Sequence, residues 1–152
     1  MDIQIDSREK AKAIQKIIQT FDRRGVNWFV SKLPVGDYIS LDNARLSIDR
    51  KQNLLELCSN VTQQQKRFIA ELERAERMGI QLIILVEHGR GIETLGDVMY
   101  WQNPRLKDSP LAVSGERLFK ILKAMEEFYG IEFQFCGKRQ TGKRILDLLG
   151  VR

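Results

Sequence analysis

The sequence predicts an α/β protein in which a mixed β-sheet is flanked by helices on both faces. Its segments run strand, helix, three strands, helices, strand, helix, strand, helix, an order that is typical of this class. The segment "QLIILVEH" is apolar at consecutive positions, as expected for a strand that is covered on both faces. The segment "EKAKAIQKIIQTFDRRG" instead repeats its apolar residues at helical spacing and ends at Gly25, a residue type that commonly terminates helices.

The first half of the chain supplies most of the strands. A short apolar strand, "IQI", precedes the first helix, and "VNWFVSKL" predicts a second strand that is broken by Pro34. The stretch "GDYISLDNARLSIDRK" predicts a hairpin whose turn lies near residues 42–44. The segment "NLLELC" then predicts a short helix, and a longer helix, capped by Asn60 or Thr62, runs to about Met78.

The second half alternates helices with single strands. Residues 89–110 are predicted to be irregular, apart from a weak helical piece over 94–101. Residues 114–129 form an amphipathic helix, "IEFQFC" is the last strand, and "GKRQTGKRILDLLG" adds a loop and a final helix. The chain shows no internal repeat, linker or low-complexity tract, so residues 1–152 are expected to form one domain.

Composition restricts the class of partner and the cellular compartment. The net charge of +5 and the pI of about 9.4 favour an anionic partner, with DNA or another nucleic acid first, although an ordinary basic protein fits equally well. Two cysteines and one histidine are too few and too scattered for a structural zinc site, and they suit a reducing compartment. No apolar run approaches the ~20 residues of a membrane span, and the N-terminus lacks a signal-peptide layout. We therefore expect an intracellular protein, cytoplasmic or DNA-associated, with no membrane partner.

The predicted hairpin carries charges at its open end that a core hairpin does not need. Asp49 and Lys51 are two residues apart on one strand and therefore share a face, whereas Arg50 points away. If the turn is centred on Asn43, Asp37 lies directly opposite Asp49, and two facing carboxylates repel unless a cation lies between them. Asp37 and Asp49 would then suit Mg²⁺ or Mn²⁺, while Lys51 could orient a water. Solvated end charges remain the simpler explanation of this spacing alone.

The register of this hairpin decides the hypothesis, and the sequence leaves it open. A turn one bond later matches the apolar residues of the two strands better, but it pairs Asp37 with Arg50 and places it on the face opposite Asp49. A bulge near Gly36 would satisfy both demands. Arg50 could clamp a phosphate or brace a carboxylate with its fork of donors.

The wider set of motifs resembles the XPF-type nuclease domain of the PD-(D/E)xK superfamily. Six segments resemble elements of that domain in the same order along nearly the whole chain. They are "IDSREK" at 5–10, "VGDYI" at 35–39, "IDRKQNLLEL" at 48–57, "QQQKRFIAELERA" at 63–75, "LIILVE" at 82–87 and "SGERLFKILKAMEEFYGIEFQFC" at 114–136.

The resemblance implies a restriction-endonuclease-like fold and metal-dependent cleavage of DNA near flaps, forks or branches, in repair or recombination. It makes Asp37, Asp49 and Lys51 the catalytic core, with Arg50 as a functional arginine and Asp6 in the same site. Arg8 and Glu9 would line that site, and Arg8 would contact nucleic acid.

The chain departs from the family pattern in three ways. Asp49 stands where the family usually has Glu, and Leu55 stands where an acid is usual, with Glu56 one position later. No helix-hairpin-helix domain follows within the 152 residues, so extra DNA affinity could come from a homodimer or a partner chain. A non-catalytic DNA-binding or scaffold module that retains the fold is the alternative function.

Several motifs have competing explanations. Asp6 followed by Glu9 is also the pattern of a capping box for the first helix. The stretch "GKRQTGKR" resembles a phosphate loop but lacks its Ser or Thr, so we expect Lys138 and Lys143 to contact DNA phosphates instead. Lys66 could bind DNA or belong to a salt-bridged helix surface, and both tryptophans are expected in the core.

Overall fold

The predicted strands assemble into one six-stranded sheet in a computed structural model, which describes residues 1–150. The order in the sheet is β2-β1-β3-β4-β5-β6; β1 and β2 are parallel, β3 is antiparallel to both of its neighbours, and β4, β5 and β6 are parallel. The bounds are β1 Asp2–Ile5, β2 Asn27–Val30, β3 Tyr38–Ser40, β4 Asn43–Lys51, β5 Gln81–Glu87 and β6 Glu132–Cys136.

Five α-helices cover the two faces of this sheet. The α1 helix (Gln15–Arg23) and α5 (Thr141–Leu148) lie on one face, and α2 (Leu54–Val61), α3 (Gln65–Arg77) and α4 (Gly115–Tyr129) lie on the other. Strand β5 alternates between the two cores, because Ile84 packs with α2–α4 and Leu85 packs with α1 and α5. The predicted mixed sheet with helices on both faces is confirmed. Among residues 1–150, no helix is both long and apolar enough to cross a membrane.

Two predicted helix starts are wrong. The first helix begins at Gln15 rather than at residue 9, and neither Asp6, which bonds to Arg8 and Leu33, nor Glu9, which bonds to Tyr38, caps it. Helix α3 begins at Gln65, and its start has no side-chain cap. The Thr62 hydroxyl instead donates to the Cys58 carbonyl at 2.6 Å, so it belongs to the end of α2.

The hairpin turns at residues 41–42, slightly earlier than predicted. Tyr38 faces Ile48 and Ser40 faces Asn43, so an advance of two positions along β3 corresponds to five positions along β4, and the register shifts near the turn. At the open end, the pairing of Tyr38 with Ile48 is the register that sets residue 37 opposite residue 49.

A glycine makes the close approach of the strands at this end possible. Gly36 has φ +72°, and a Cβ there would lie 2.1 Å from the Ser47 hydroxyl oxygen on β4. The next residue, Asp37, donates its backbone N–H to the Ile48 carbonyl at 2.7 Å. The backbone therefore fixes Asp37 against β4 although it lies just outside β3.

Candidate active site

A cleft of about 340 Å³ opens between the end of the β3–β4 hairpin and helices α2 and α3. Nine of its twelve lining residues carry ionisable side chains. Its walls are formed by Arg8, Glu9, Asp37, Asp49, Arg50, Lys51, Glu56, Asn60, Gln64, Arg67, Phe68 and Glu71.

Asp37 and Asp49 face each other in this cleft, as one of the predicted registers requires. The Arg50 backbone N–H donates to Asp37 Oδ2 at 2.8 Å and fixes that carboxyl group. Burial, and then the charge of Asp49, raise the pKa of Asp37 well above its usual range. Asp49 Oδ2 is buried and, among residues 1–150, forms an ion pair with Lys51 but accepts no hydrogen bond. Such a buried oxygen is costly unless a hydrogen bond or a further cation satisfies it.

Lys51 lies on the same face as Asp49, as predicted. Its Nζ is 3.3 Å from Asp49 Oδ2 and lies 5.6 Å from the centre of the Phe68 ring on α3. Burial lowers the pKa of Lys51, but the charges of Asp49, Glu56, Glu71 and Asp37 together outweigh that effect and the net shift is upward. An ammonium group is therefore held at the edge of the carboxylate pair.

Glu71 is a further carboxyl group beside Asp37 and Asp49 in the cleft, and sequence reasoning missed it. It projects from α3, and burial, followed by the charge of Asp49, raises its pKa to about 7. A signal was present in the sequence: Gln64, Phe68 and Glu71 recur at spacings of four and three, which places them on one helical face.

Arg50 projects to the opposite face of the sheet and forms a buried ionic network. Its guanidinium contacts Glu9 through two bonds, Nε to Oε2 at 2.7 Å and Nη2 to Oε1 at 3.1 Å, and it also donates to Glu87 at the end of β5. The Tyr38 hydroxyl donates to Glu9 at 2.7 Å, and the Thr141 hydroxyl of α5 donates to Glu87 at 2.8 Å. Burial lowers the pKa of Arg50, but the two carboxylates outweigh it and raise the pKa. Glu87 was not anticipated from the sequence.

Asp6 is fully buried and has its oxygens occupied. Its Oδ1 accepts the Leu33 N–H at 2.7 Å, and its Oδ2 accepts Arg8 Nε at 2.6 Å. Asp6 thus ties the segment after β2 to the end of β1 and holds Arg8 at the cleft wall. Arg8 is half-exposed, and its bond to Asp6 raises its pKa.

The structure separates the predicted DNA-binding lysines from the cleft. Lys66, Lys138 and Lys143 are exposed but do not line it, whereas Arg67 does. The loop resembling a phosphate loop is a short 3₁₀ turn followed by α5, and Gly142 packs so closely on Thr20 of α1 that a Cβ would lie 2.8 Å away. Its glycine serves helix packing there rather than a phosphate.

Two other sequence expectations concern side chains near the cleft or in the core. Glu56 lines the cleft and also accepts the Gln52 N–H, while Asn53 caps the Glu56 N–H, so Glu56 belongs to the start of α2. Trp101 is buried in the core, as expected; Trp28 is half-buried, and its indole donates to Asp22 at 2.8 Å.

The donor set suits a cation that retains several waters. Within residues 1–150, no group of three or more acidic, histidine or cysteine side chains is arranged to hold a metal ion. The facing carboxyl groups of Asp37 and Asp49 do offer a buried oxygen that accepts no hydrogen bond among residues 1–150, and the charge of Asp49 helps to raise the pKa of Asp37. Mg²⁺ commonly binds through one or two carboxylates and completes its shell with water and phosphate oxygens. The residues present therefore fit such an ion.

Comparison with known proteins places this geometry in a family. Residues 5–138 match the ERCC4 domain, and the chain belongs to the ERCC4 domain family. The resemblance to the XPF-type nuclease domain is thereby confirmed. No match is found among curated proteins.

Solved structures show the same fold. XPF from Aeropyrum pernix matches with a TM-score of 0.66 at 20% identity, over 98% of this chain and 63% of that one. XPF from Aeropyrum pernix in complex with DNA gives a TM-score of 0.66 at 19% identity, over 99% and 64%. The chain thus spans less than two thirds of either structure.

Proposed function

We propose that this chain is a Mg²⁺- or Mn²⁺-dependent DNA endonuclease that hydrolyses phosphodiester bonds in branched, flap or fork substrates. One observation carries the proposal: Asp37 and Asp49 face each other in a cleft, and Asp49 Oδ2 is paired with the Lys51 ammonium but accepts no hydrogen bond among residues 1–150. Membership of the ERCC4 domain family supports it.

Asp37 and Asp49 would hold the metal ion. A bound divalent cation supplies a Lewis acid that polarises a phosphodiester and makes a bound water more acidic. The chain's own residues keep the ligands in place, because the Arg50 N–H fixes Asp37 and the strand pairing fixes Asp49.

The cationic side chains at the cleft would orient the substrate. Lys51 Nζ lies beside Asp49, where an ammonium group can hold an attacking water or offset charge that develops on the phosphate. Arg8, held by Asp6 at the cleft wall, presents guanidinium donors that suit a phosphate oxygen. Arg50 would help to position Asp37 and would not contact the substrate, because its side chain is bonded to Glu9 and Glu87.

The same proposal extends to organisation and partners. We infer that residues 1–152 form one nuclease domain that acts on DNA inside the cell, and that a homodimer or a partner chain adds DNA affinity. Its support is a single sheet whose two cores cover both faces, and a similar protein that has been solved in complex with DNA.

Cleavage assays test the proposal directly. The purified chain is incubated with flap, fork and linear DNA and with Mg²⁺ or Mn²⁺, beside Asp49→Asn and Lys51→Ala. Asp147→Asn and Lys123→Ala are matched controls, because both residues are exposed on helix surfaces. We expect cleavage by the wild type and both controls and loss in both site variants. Cleavage that survives Asp49→Asn would refute the site, and DNA binding without cleavage of any substrate would favour a scaffold function.

A further inference from the structure

A second groove lies across α2 from the cleft. It has a volume of about 290 Å³ and runs between α2 and the segment that leads into α4. Arg105 and Arg117 line it, together with the buried Cys58. Burial raises the pKa of the Cys58 thiol, and the positive charges of both arginines oppose that rise, so both guanidinium groups act on the same spot.

Both arginines are available for an anion. Within residues 1–150, neither forms an ion pair with a carboxylate, and no acidic side chain lines the groove. Two exposed guanidinium groups that converge on one groove without a carboxylate partner form a site for phosphate oxygens.

The cleft itself is a poor source of affinity for DNA. Its walls contain five carboxyl groups and four basic side chains, so without a metal ion it does not attract phosphates on balance. Attraction to the DNA backbone, which dominates affinity in nucleic-acid binding, must therefore come from neighbouring surface. The groove supplies two positive charges next to the cleft.

A polar surface at the end of α2 and in the turn that follows it connects the two sites. Asn60 and Gln64 face the cleft and are bonded to each other at 3.0 Å, while Ser59 and Gln63 face the groove. Asn60 Oδ1 is buried and has no donor among residues 1–150. An α-helix is only about 10 Å across, so a strand leaving the cleft reaches the groove within a few nucleotides. Side-chain amides and hydroxyls commonly contact phosphate and sugar.

We propose that the groove between α2 and residues 103–113 binds the backbone of a single DNA strand that leaves the cleft, with Arg105 and Arg117 paired to its phosphates. The inference rests on the proposed DNA substrate. The groove volume of about 290 Å³ lies just below the usual range of ligand sites (about 300–1,000 Å³), which suits one strand rather than a duplex. Leu111, 89% exposed at the groove edge, offers an apolar surface that suits an unstacked base.

Binding without metal tests the groove independently of cleavage. Affinities of the wild type, Arg105→Ala, Arg117→Ala and the double variant are measured by fluorescence anisotropy in EDTA, with duplexes that are blunt or carry a single-stranded extension. Arg77→Ala is the matched control, because Arg77 is exposed, is unpaired among residues 1–150, and lies about 20 Å along α3 from Gln64.

The expected losses follow from counterion release. Each phosphate contact on a single strand contributes about 0.7 to the slope of log affinity against log salt, which amounts to about fivefold per arginine at ~0.1 M salt. The double variant should lose about 25-fold on extended duplexes and its salt slope should fall by about 1.4, while blunt duplexes and Arg77→Ala change little. Equal losses on blunt and extended duplexes, or no loss on either, would overturn the proposal.

A chemical protection experiment provides a second readout. In Leu111→Cys, the new thiol is far more accessible than the buried Cys58 and Cys136, so alkylation reports on the groove edge. A single-stranded oligonucleotide in EDTA should protect it, and unchanged alkylation at saturating oligonucleotide would contradict the inference. If the strand binds in the groove but no substrate is cleaved with metal, the proposed nuclease function fails while this site stands.

Discussion

Replacing Arg50 with methionine should unfold this protein far more readily than replacing Glu87 with glutamine, although the two side chains form the same ion pair. In the buried network, Arg50 is the single cation between Glu9 and Glu87. Without Arg50, two carboxylates whose side chains are only 10% and 3% exposed are left facing each other. Without the charge of Glu87, the pair of Arg50 and Glu9 is still neutral and bonded.

The magnitudes follow from this asymmetry. Removing one partner of a buried ion pair costs about 3–5 kcal/mol, and Arg50→Met removes the partner of two. Glu87→Gln weakens one hydrogen bond to a charged group, which is worth about 1.5–3 kcal/mol. For a chain of this length, 1 kcal/mol corresponds to about 2–4 °C in Tm. We expect Arg50→Met to lower Tm by at least about 6–20 °C and Glu87→Gln by less.

Urea denaturation at neutral pH measures both changes. Lys143→Met is the control, since the Lys143–Asp147 pair is 65% and 51% exposed and such pairs contribute about 0–1 kcal/mol. Equal costs for Arg50→Met and Glu87→Gln, or a cost for Arg50→Met no larger than that of the control, would refute the network as described.

Three further predictions concern the metal, the hairpin and pH. Mg²⁺ or Mn²⁺ at 100 times its Kd should stabilise the folded wild type by about 2.7 kcal/mol in thermal denaturation. The stability of Asp49→Asn should not change when the ion is added. An equal gain in stability for both proteins would exclude Asp49 as a ligand. Gly36→Ala should lower the free energy of unfolding, measured by urea denaturation, by about 1–3 kcal/mol more than Gly25→Ala does. Both glycines have positive φ, but only a Cβ at residue 36 would meet Ser47. Equal losses would contradict the close approach of the strands. Burial lowers the pKa of His88, so the unfolded chain binds more protons than the folded chain below about pH 6.5. The wild type should therefore lose stability relative to His88→Gln as pH falls through that value, by less than about 1.4 kcal/mol per pH unit. A difference in stability that stays constant with pH would refute this.

The sheet could be predicted because its signals are local. The run "QLIILVEH" is apolar on both faces, and β5 lies between two cores as that pattern requires. The start of α1 could not be predicted, since residues 9–14 have helical spacing but Glu9 bonds to Tyr38 and Arg50, far along the chain. Tertiary bonds of this kind override local propensity.

Only part of the candidate site could be predicted from the sequence, because the rest of it depends on tertiary packing. Asp49 and Lys51 share a strand, so their common face follows from alternation alone. The position of Asp37 depended on a register shift near the turn, which apolar matching across the hairpin does not reveal. Glu71 and Glu87 come from α3 and β5, and only the packing of these elements brings them to the hairpin.

Strand β4 carries charged side chains on both of its faces, and the two faces differ in how many of these charged groups have hydrogen-bond partners. On one face, the Arg50 side chain binds Glu9 and Glu87, and Thr141 of α5 binds Glu87 in turn. The backbone N–H of Arg50 binds the Asp37 carboxyl group, so this network helps to position Asp37. On the other face, Asp49 Oδ2 is paired with Lys51 but accepts no hydrogen bond among residues 1–150. Such an arrangement suits the proposed cation site, because the cost of bringing the two acids together is met on folding, before an ion would bind. A lysine at position 50 would keep the charge but not the planar fork that engages both carboxylates, which is a physical reason for arginine there.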